Sequence, residues 1–232
     1  MTCVISLDLG TLTGWALWQP GWSKPRVGLA EMPDVERDMG WWGESFLEWL
    51  VPFCRLNGVT EIVVEAPIIV PHKRAGSQPC PTCGHVKTDI NAHEIEKLVG
   101  LSAFAALGAR QLTVPFHRAA RSTVCKHFIA VVPGQKMKDG RRADRKYLKG
   151  AFVIQCGRKG WNTQSEDIAD ALGTLDWFLY DRDVAGVPWN CDPAPGPLFE
   201  GLPGVRIEKA NQVAAKRLVD NALKFDREKN RE

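Results

Sequence analysis

The stretch "ISLDLGTLTGWALW", residues 5–18, decides how the rest of the chain is interpreted, because it sets a carboxylate inside an apolar strand. Strand-forming residues precede Asp8, and a Gly/Thr turn and a second apolar run follow it. Burying a carboxylate is costly unless a partner holds its charge. Asp8 is therefore either a turn residue or a ligand of a cation, and the remaining sequence has to distinguish the two.

Composition sets the outer limits of the interpretation. The 232 residues are 44% hydrophobic and 25% charged, which suffices for one sizeable core. No uninterrupted apolar run of about 18 residues occurs, and the N-terminus lacks the basic segment of a signal peptide, so we expect a cytoplasmic protein without a membrane span. The net charge of +3 is small, so any charged partner must be inferred from where the charges lie.

The first seventy residues predict strands, a helix and another strand. "CVISLDL", "GWALWQ" and "RVGLAEMP" have strand composition and short connections, which favours an antiparallel meander. Apolar residues at helical spacing predict a helix within residues 35–58, with Gly58 as its cap and Pro52 as a point where it kinks or ends early. The apolar run "TEIVVEAPIIV" indicates a strand buried on both faces, which favours parallel pairing with an earlier strand.

The remainder predicts helices around one further strand. We expect a helix from about Asn91 to Arg110 and then a strand within "QLTVPF". Three later helices are expected in "AARSTVCKHFIAVV", "RADRKYLKGAFVIQCG" and "SEDIADALGTLDWFLYDR". This order predicts an α/β fold with a mixed sheet. We predict one domain over residues 1–184, with an inserted loop at 66–90, and a Pro/Gly-rich linker with a charged C-terminal helix over 185–232.

Four carboxylates lie at the ends of these elements, namely Asp8, Glu65, Asp167 and Asp170. If their strands pair in parallel, Asp8 and Glu65 meet at the carboxyl edge, where open α/β sheets bind ligands. Asp167 and Asp170 share one helix face. Such a density of negative charge requires cations, and two Mg²⁺ ions about 4 Å apart can clamp the attacking and leaving oxygens of a phosphodiester. We therefore interpret Asp8 as a metal ligand.

These blocks resemble a known family. "SLDLGTLTGWAL", "EIVVEAP" and "SEDIADALGTLDWFL" are similar to the three catalytic blocks of RuvC-like Holliday junction resolvases, within the ribonuclease H-like superfamily. "RSTVCKHFIAV" resembles a segment common in phage- and prophage-type members. The resemblance covers roughly residues 3–181. It implies a ribonuclease H-like mixed five-stranded sheet flanked by helices, here with the Cys/His loop inserted and a C-terminal extension.

The resemblance also implies an activity and its residues. The family works as a homodimer that uses two Mg²⁺ or Mn²⁺ ions per active site to cleave branched DNA in recombination and repair, as a crossover junction endodeoxyribonuclease. Asp8 and Glu65 match the first two metal-binding acids. Asp170 matches the acid before Ala-Leu in the last block, and Asp167 matches the acid three residues earlier. Glu166 is the alternative to Asp167 for that role.

Positive charge concentrates between residues 117 and 160, where few acids oppose it. A patch of this kind near a metal site suits contacts to phosphates, which supply most of the affinity of nucleic-acid binding and little sequence information. A solvated helical face is the alternative interpretation. The residues predicted to contact DNA are Arg118, Arg121, Lys126, Lys136, Lys138, Arg141, Arg142, Arg145 and Lys146.

The loop "PHKRAGSQPCPTCGHVKTDINAH" carries a pattern typical of half a zinc site. In a Cys-Pro-x-Cys-Gly turn the thiolates of Cys80 and Cys83 point inward toward one Zn²⁺ ion. The sequence holds one such pair, so histidines would complete the tetrahedron. We predict His85 and His72, with His93 competing for a place. A site shared between two subunits and a reduced Cys pair are the alternatives.

Two other functions fit parts of the pattern. "DLGTLTGWA" resembles the first phosphate loop of actin/sugar-kinase-type ATP-binding proteins, but their second phosphate loop and adenosine motif have no counterpart here. A non-catalytic DNA-binding module could keep the same fold, although the presence of all four acids argues against it. The sequence therefore predicts a Mg²⁺-dependent endonuclease that resolves Holliday junctions or other branched DNA.

Overall fold

The computed structural model describes residues 2–32, 39–67, 82, 92–137, 140–161, 163, 165–189 and 191–192. The strands in these ranges are β1 (Val4–Asp8), β2 (Leu12–Trp18), β3 (Arg26–Glu31), β4 (Glu61–Glu65) and β5 (Phe116–Ala119). The helices are α1 (Met39–Leu56), α2 (Ala92–Leu112), α3 (Arg121–Ile129), α4 (Arg145–Arg158) and α5 (Glu166–Asp181).

The five strands form one mixed sheet in the order β3-β2-β1-β4-β5. β1, β2 and β3 pair antiparallel, as short connections between successive strands require. β4 lies parallel to β1, with Leu7 opposite Val64, and β5 lies parallel to β4, with Glu65 opposite Ala119. The α/β fold with an antiparallel meander followed by parallel strands is confirmed.

Helices cover both faces of the sheet and enclose two hydrophobic cores. Val4 and Val63 pack toward α3, α4 and α5, whereas Ile5 and Ile62, one residue away on each strand, pack toward α1 and α2. This is the period-two alternation of a strand. All four side chains are fully buried, which explains why the first and fourth strands are almost continuously apolar.

The helix ends follow ordinary capping chemistry. Gly58 has a φ of +62° just after α1, a left-handed conformation that glycine adopts without strain. The Ser165 hydroxyl accepts a hydrogen bond from the Ile168 N–H at 3.1 Å and so caps α5, as its position predicts. The start of α5 is therefore well defined, and this matters for the carboxylates on its first two turns.

Two sequence predictions are wrong in detail. Of the two alternatives predicted at Pro52, an early end is wrong: α1 continues to Leu56, with Pro52 on its exposed side and Cys54 buried in the core between α1, α2 and the sheet. One lost hydrogen bond on a solvated face is outweighed by that burial. The strand expected in "QLTVPF" lies further along the chain, because α2 extends to Leu112 and β5 begins only at Phe116.

The start of the predicted C-terminal linker packs on the domain. The Trp189 ring lies edge-on to Trp18 and Trp161, with ring centroids 5.7 and 5.2 Å apart, and its indole N–H donates to Asp176 at 2.9 Å. The packed part of the chain therefore extends beyond residue 184. Within the described ranges, no helix combines the length and apolarity that a bilayer crossing requires.

Candidate active site

Asp8 and Glu65 end two neighbouring parallel strands and lie at the same edge of the sheet. Leu7 is paired with Val64, so the next residue of each strand is Asp8 and Glu65 respectively. By the alternation of the strands, both carboxylates fall on the same sheet face as Val4 and Val63, which is the face covered by α5. The structure therefore places Asp8 and Glu65 together at the carboxyl edge, where the sequence predicts them.

α5 brings the other two acids over this edge. The helix lies on β1 and β2, where the Ser6 hydroxyl donates a 2.5 Å hydrogen bond to the Ala171 carbonyl. Gly14 on β2 allows a close approach, because a Cβ atom at that position would lie 2.3 Å from the Asp167 carbonyl oxygen. Asp170 is buried, at 4% exposed, and Asp167 is partly exposed.

The negative charges of the acids affect the pKa values of Asp8, Glu65 and Asp170. Burial raises the pKa of Asp8 well above its ordinary value, and the charges of Asp170, Glu65 and Asp167 raise it further, while Arg121 opposes them. Burial also raises the pKa values of Glu65 and Asp170, again against the influence of Arg121. The four acids therefore form one cluster in which full ionisation requires a positive partner.

Arg121 supplies a positive charge inside the cluster. Its Nη1 atom lies 2.7 Å from Glu65 Oε2 and 2.9 Å from Asp170 Oδ1, and the Arg121 side chain is only 13% exposed. Burial alone would lower the pKa of Arg121, but the two carboxylates outweigh it and the pKa is raised. Arg121, predicted as a DNA contact, is therefore placed among the acids and apart from the exposed basic residues.

Lys149 on α4 supplies a second positive charge at the rim of the cluster. Its Nζ atom lies 3.3 Å from Asp167 Oδ1 and 3.1 Å from Glu166 Oε2. Between these alternatives for the third acid, Asp167 is the one whose charge raises the pKa values of Asp8 and Asp170. Glu166 has a side chain 57% exposed and lies further toward solvent.

The donor set fits a hard divalent cation in its chemistry. Carboxylate oxygens are the ligands that Mg²⁺ and Mn²⁺ prefer, and the buried Asp170 Oδ1 atom has no hydrogen bond of acceptable geometry although Arg121 lies beside it. Within the described residues, however, no group of three or more His, Cys, Asp or Glu side chains is arranged to hold a metal ion as it stands. Arg121 lies between two of the oxygens that such an ion would need.

Apart from Arg121, the predicted DNA contacts that the structure describes are exposed. They lie on α3, on α4 and in the connection between them, except for Arg118, which lies on β5 opposite Val64 and therefore on the face covered by α1 and α2. Lys138 lies outside the described residues. A tight hairpin between α3 and α4 presents two of the arginines: Lys136 pairs with Arg142 as an antiparallel bridge, and the Met137 N–H donates to the Arg141 carbonyl at 2.8 Å. The exposed set comprises Arg118, Lys126, Lys136, Arg141, Arg142, Arg145 and Lys146.

The predicted zinc ligands Cys80, Cys83, His85 and His72 all lie outside the described residues. His93 falls within α2, but its side chain is not described. The zinc site stays a prediction.

The sequence pattern did not place two basic residues, Arg121 and Lys149, beside the acids. Arg121 follows β5 by two residues, and β5 is the neighbour of β4, so Arg121 reaches the same edge as Glu65. The sequence pattern predicts the strand in "QLTVPF", which ends at Phe116. Arg121 is therefore expected to lie five residues beyond the sheet edge and not beside Glu65. Lys149 carries no local signal, since it reaches the acids only through the packing of α4 on α5.

Comparison with known proteins supports the fold. No protein-family model and no curated protein matches the sequence. The Thermus thermophilus RuvC in complex with a Holliday junction substrate matches with a TM-score of 0.52 and 13% identity, over 84% of this chain and 100% of that one. A second Thermus thermophilus RuvC structure matches with a TM-score of 0.49 and 11% identity, over 82% and 100% of the chains. The match at a TM-score of 0.52 shows that the chain shares its fold with RuvC.

Proposed function

We propose that this chain is a divalent-metal-dependent endonuclease that cleaves Holliday junctions or other branched DNA. The observation that carries the proposal is the convergence of Asp8, Glu65 and Asp170 at one sheet edge, in a fold shared with a RuvC bound to a Holliday junction. Acids clustered against their own repulsion are typical of a site whose task is to hold cations.

In the proposed site, Asp8, Glu65 and Asp170 would hold the metal from two strands and one helix, and Asp167 would complete the set. Two bound Mg²⁺ or Mn²⁺ ions would activate a water for in-line attack on the scissile phosphate and stabilise the leaving oxygen. Asp8 and Glu65 provide rigid ligands because their backbones are fixed in paired strands. Lys149 holds Asp167 in place from α4.

The exposed basic residues extend the site toward the DNA. We propose that Lys126, Arg141, Arg142, Arg145 and Lys146 contact phosphates of the junction arms on the α3 and α4 side of the sheet. A homodimer, in which each subunit cuts one strand, and a structural zinc ion in the loop at 66–90 complete the proposal. Both extend beyond the described residues of a single chain.

The test is cleavage of a labelled four-way junction by the full-length protein, with a linear duplex of the same arms as comparison. We expect cleavage of the junction in Mg²⁺ or Mn²⁺, loss of cleavage in EDTA, and little cleavage of the duplex. Asp8→Asn, Glu65→Gln and Asp170→Asn should each lower the rate by more than about 10²-fold while the junction is still bound, since each removes a metal ligand.

Asp181→Asn is the matched control, because Asp181 is an exposed carboxylate at the far end of the helix that carries Asp170. It should cleave at the rate of the unaltered protein.

A non-catalytic DNA-binding module is the second candidate, and the ion pair of Arg121 with two of the acids favours it. Binding of the junction without cleavage at any Mg²⁺ or Mn²⁺ concentration would decide for that module.

A further inference from the structure

Arg121 occupies the centre of the acidic cluster and not its rim. One guanidinium nitrogen lies within 3 Å of oxygens on both Glu65 and Asp170, so it bridges the end of β4 to the second turn of α5. A cation shared by these two carboxylates would approach the same two groups, and Arg121 already holds one oxygen of each. Arg121 thus occupies part of the space and carries the kind of charge that a divalent ion would bring to this site.

The local structure holds Arg121 in this position. It is the first residue of α3, and its guanidinium lies 4.6 Å from the ring centroid of Phe152, a fully buried residue of α4. Cation–π contact of this kind strengthens when the pair is shielded from water. The Arg121 side chain is therefore anchored between an aromatic ring and two carboxylates.

We propose that Arg121 is the resident counterion of the metal site: it offsets part of the charge of Glu65 and Asp170 in the metal-free protein and competes with divalent cations for their oxygens. The inference rests on the proposed function and adds to it a positioning residue that sets metal affinity. Two positive charges a few ångströms apart in a poorly hydrated site repel strongly, so a divalent ion binds only as Arg121 moves aside. Until the ion arrives, the single positive charge of Arg121 offsets part of the repulsion among the acids, and the remainder persists.

The test compares Mn²⁺ binding by the metal-free full-length protein, Arg121→Gln and Arg121→Lys, using isothermal titration calorimetry at low ionic strength. Arg121→Gln removes the competing charge and should bind Mn²⁺ about tenfold more tightly or better. Arg121→Lys keeps a charge but cannot bridge both acids, so its affinity should fall between the two. Arg110→Gln, which removes an exposed arginine at the end of α2, should bind as the unaltered protein does.

Thermal unfolding in EDTA and in Mn²⁺ provides a second readout. Arg121→Gln should unfold at a lower temperature in EDTA and gain more from Mn²⁺ than the unaltered protein, and Arg121→Gln/Asp170→Asn should lose the gained affinity. Equal or weaker Mn²⁺ binding by both Arg121 variants would overturn the inference, and if Arg121→Gln fails to fold, Arg121→Lys alone decides. If the unaltered protein does not bind Mn²⁺ but Arg121→Gln does, only the proposed nuclease is overturned. If none of the proteins binds Mn²⁺, the proposed nuclease and the role of Arg121 are both overturned.

Discussion

The Asp8 carboxyl group ends a strand whose preceding residues are fully buried, and its surroundings are unfavourable to a negative charge. Burial is the largest cause of its raised pKa, followed by the charges of Asp170 and Glu65. A carboxyl group whose pKa is raised by folding binds a proton more tightly in the folded state, so its ionisation destabilises the fold. The metal-free site is thus strained by its own charges, as functional sites often are.

This strain predicts how stability changes with pH when Asp8 is altered. The unfolded chain releases the Asp8 proton near pH 4, whereas the folded chain releases it at a higher pH, so its contribution to stability decreases as pH rises from about 4 upward. Asparagine does not ionise, so the stability of Asp8→Asn should not decrease in this way as pH rises. In EDTA, we expect the Tm of Asp8→Asn to match the unaltered protein near pH 3.5 and to exceed it at pH 8, because only the unaltered protein has to ionise a buried carboxyl group there.

The measurement is thermal unfolding followed by circular dichroism across this pH range. Asp181→Asn, an exposed carboxylate on α5, should show no pH-dependent difference. Added Mg²⁺ or Mn²⁺ should stabilise the unaltered protein more than Asp8→Asn, because the ion binds only where its ligands are intact. A constant difference in Tm at all pH values, or a lower Tm for Asp8→Asn at pH 8, would contradict the role of charge repulsion at Asp8.

At the scale of the elements, the site depends on how closely α5 lies on the sheet. A Cβ atom at Gly14 would lie 2.3 Å from the Asp167 carbonyl oxygen and 2.9 Å from the Ile168 nitrogen, both of them backbone atoms that cannot rotate away. Only glycine lets the first turn of α5 rest directly on β2. The glycine in "TLTGWA" therefore sets the height of Asp167 and Asp170 above Asp8.

Gly14→Ala should displace the start of α5 and separate its carboxylates from the strand ends. We expect a loss of about 2–3 kcal/mol in the free energy of unfolding, as for other overpacked core positions, together with weaker Mn²⁺ binding. Gly157→Ala is the matched control: nothing lies within 4 Å of a Cβ atom there, and α4 should gain up to about 1 kcal/mol from alanine. Urea unfolding and Mn²⁺ titration measure the two effects, and a fully stable Gly14→Ala variant would refute the tight packing of α5.

Sequence patterns sufficed for the elements whose signal is local. β1 and β4 are apolar runs and α5 has a serine cap and an amphipathic repeat, so topology alone could place the acids of these three elements at one edge. β5 was misplaced because its four residues, Phe116–Ala119, include a histidine and an arginine and are strand only through pairing with β4. The position of Arg121 depends on that pairing, which is why the sequence predicted it as a DNA contact.

At the scale of the whole molecule, the sheet separates two chemically different sides. α1 and α2 cover one face, and α3, α4 and α5 cover the face that carries the carboxylates. The hairpin with Arg141 and Arg142 connects α3 to α4, so these positive charges belong to the same side as the acids. DNA that brings a phosphate to the acidic cluster would therefore lie along this side.

This arrangement predicts which arginines contribute to DNA affinity. Each phosphate contact releases counterions, and the slope of log K against log salt is about −0.9 per contact on duplex DNA. Arg141→Ala/Arg142→Ala should weaken binding to a four-way junction at low salt and reduce the magnitude of this slope by roughly 1 to 2. Fluorescence anisotropy across a salt titration, in Ca²⁺ or EDTA to limit cleavage, measures both values.

Arg55→Ala/Arg110→Ala is the charge-matched control, because it removes two exposed arginines from the last turns of α1 and α2 on the opposite side. Both double variants lower the net charge equally, so a long-range effect of total charge would act on them alike. Contacts on the α3 and α4 side would change the slope only in Arg141→Ala/Arg142→Ala. If the two double variants bind the junction with the same affinity and slope, the hairpin does not touch the DNA backbone and the binding surface must lie elsewhere.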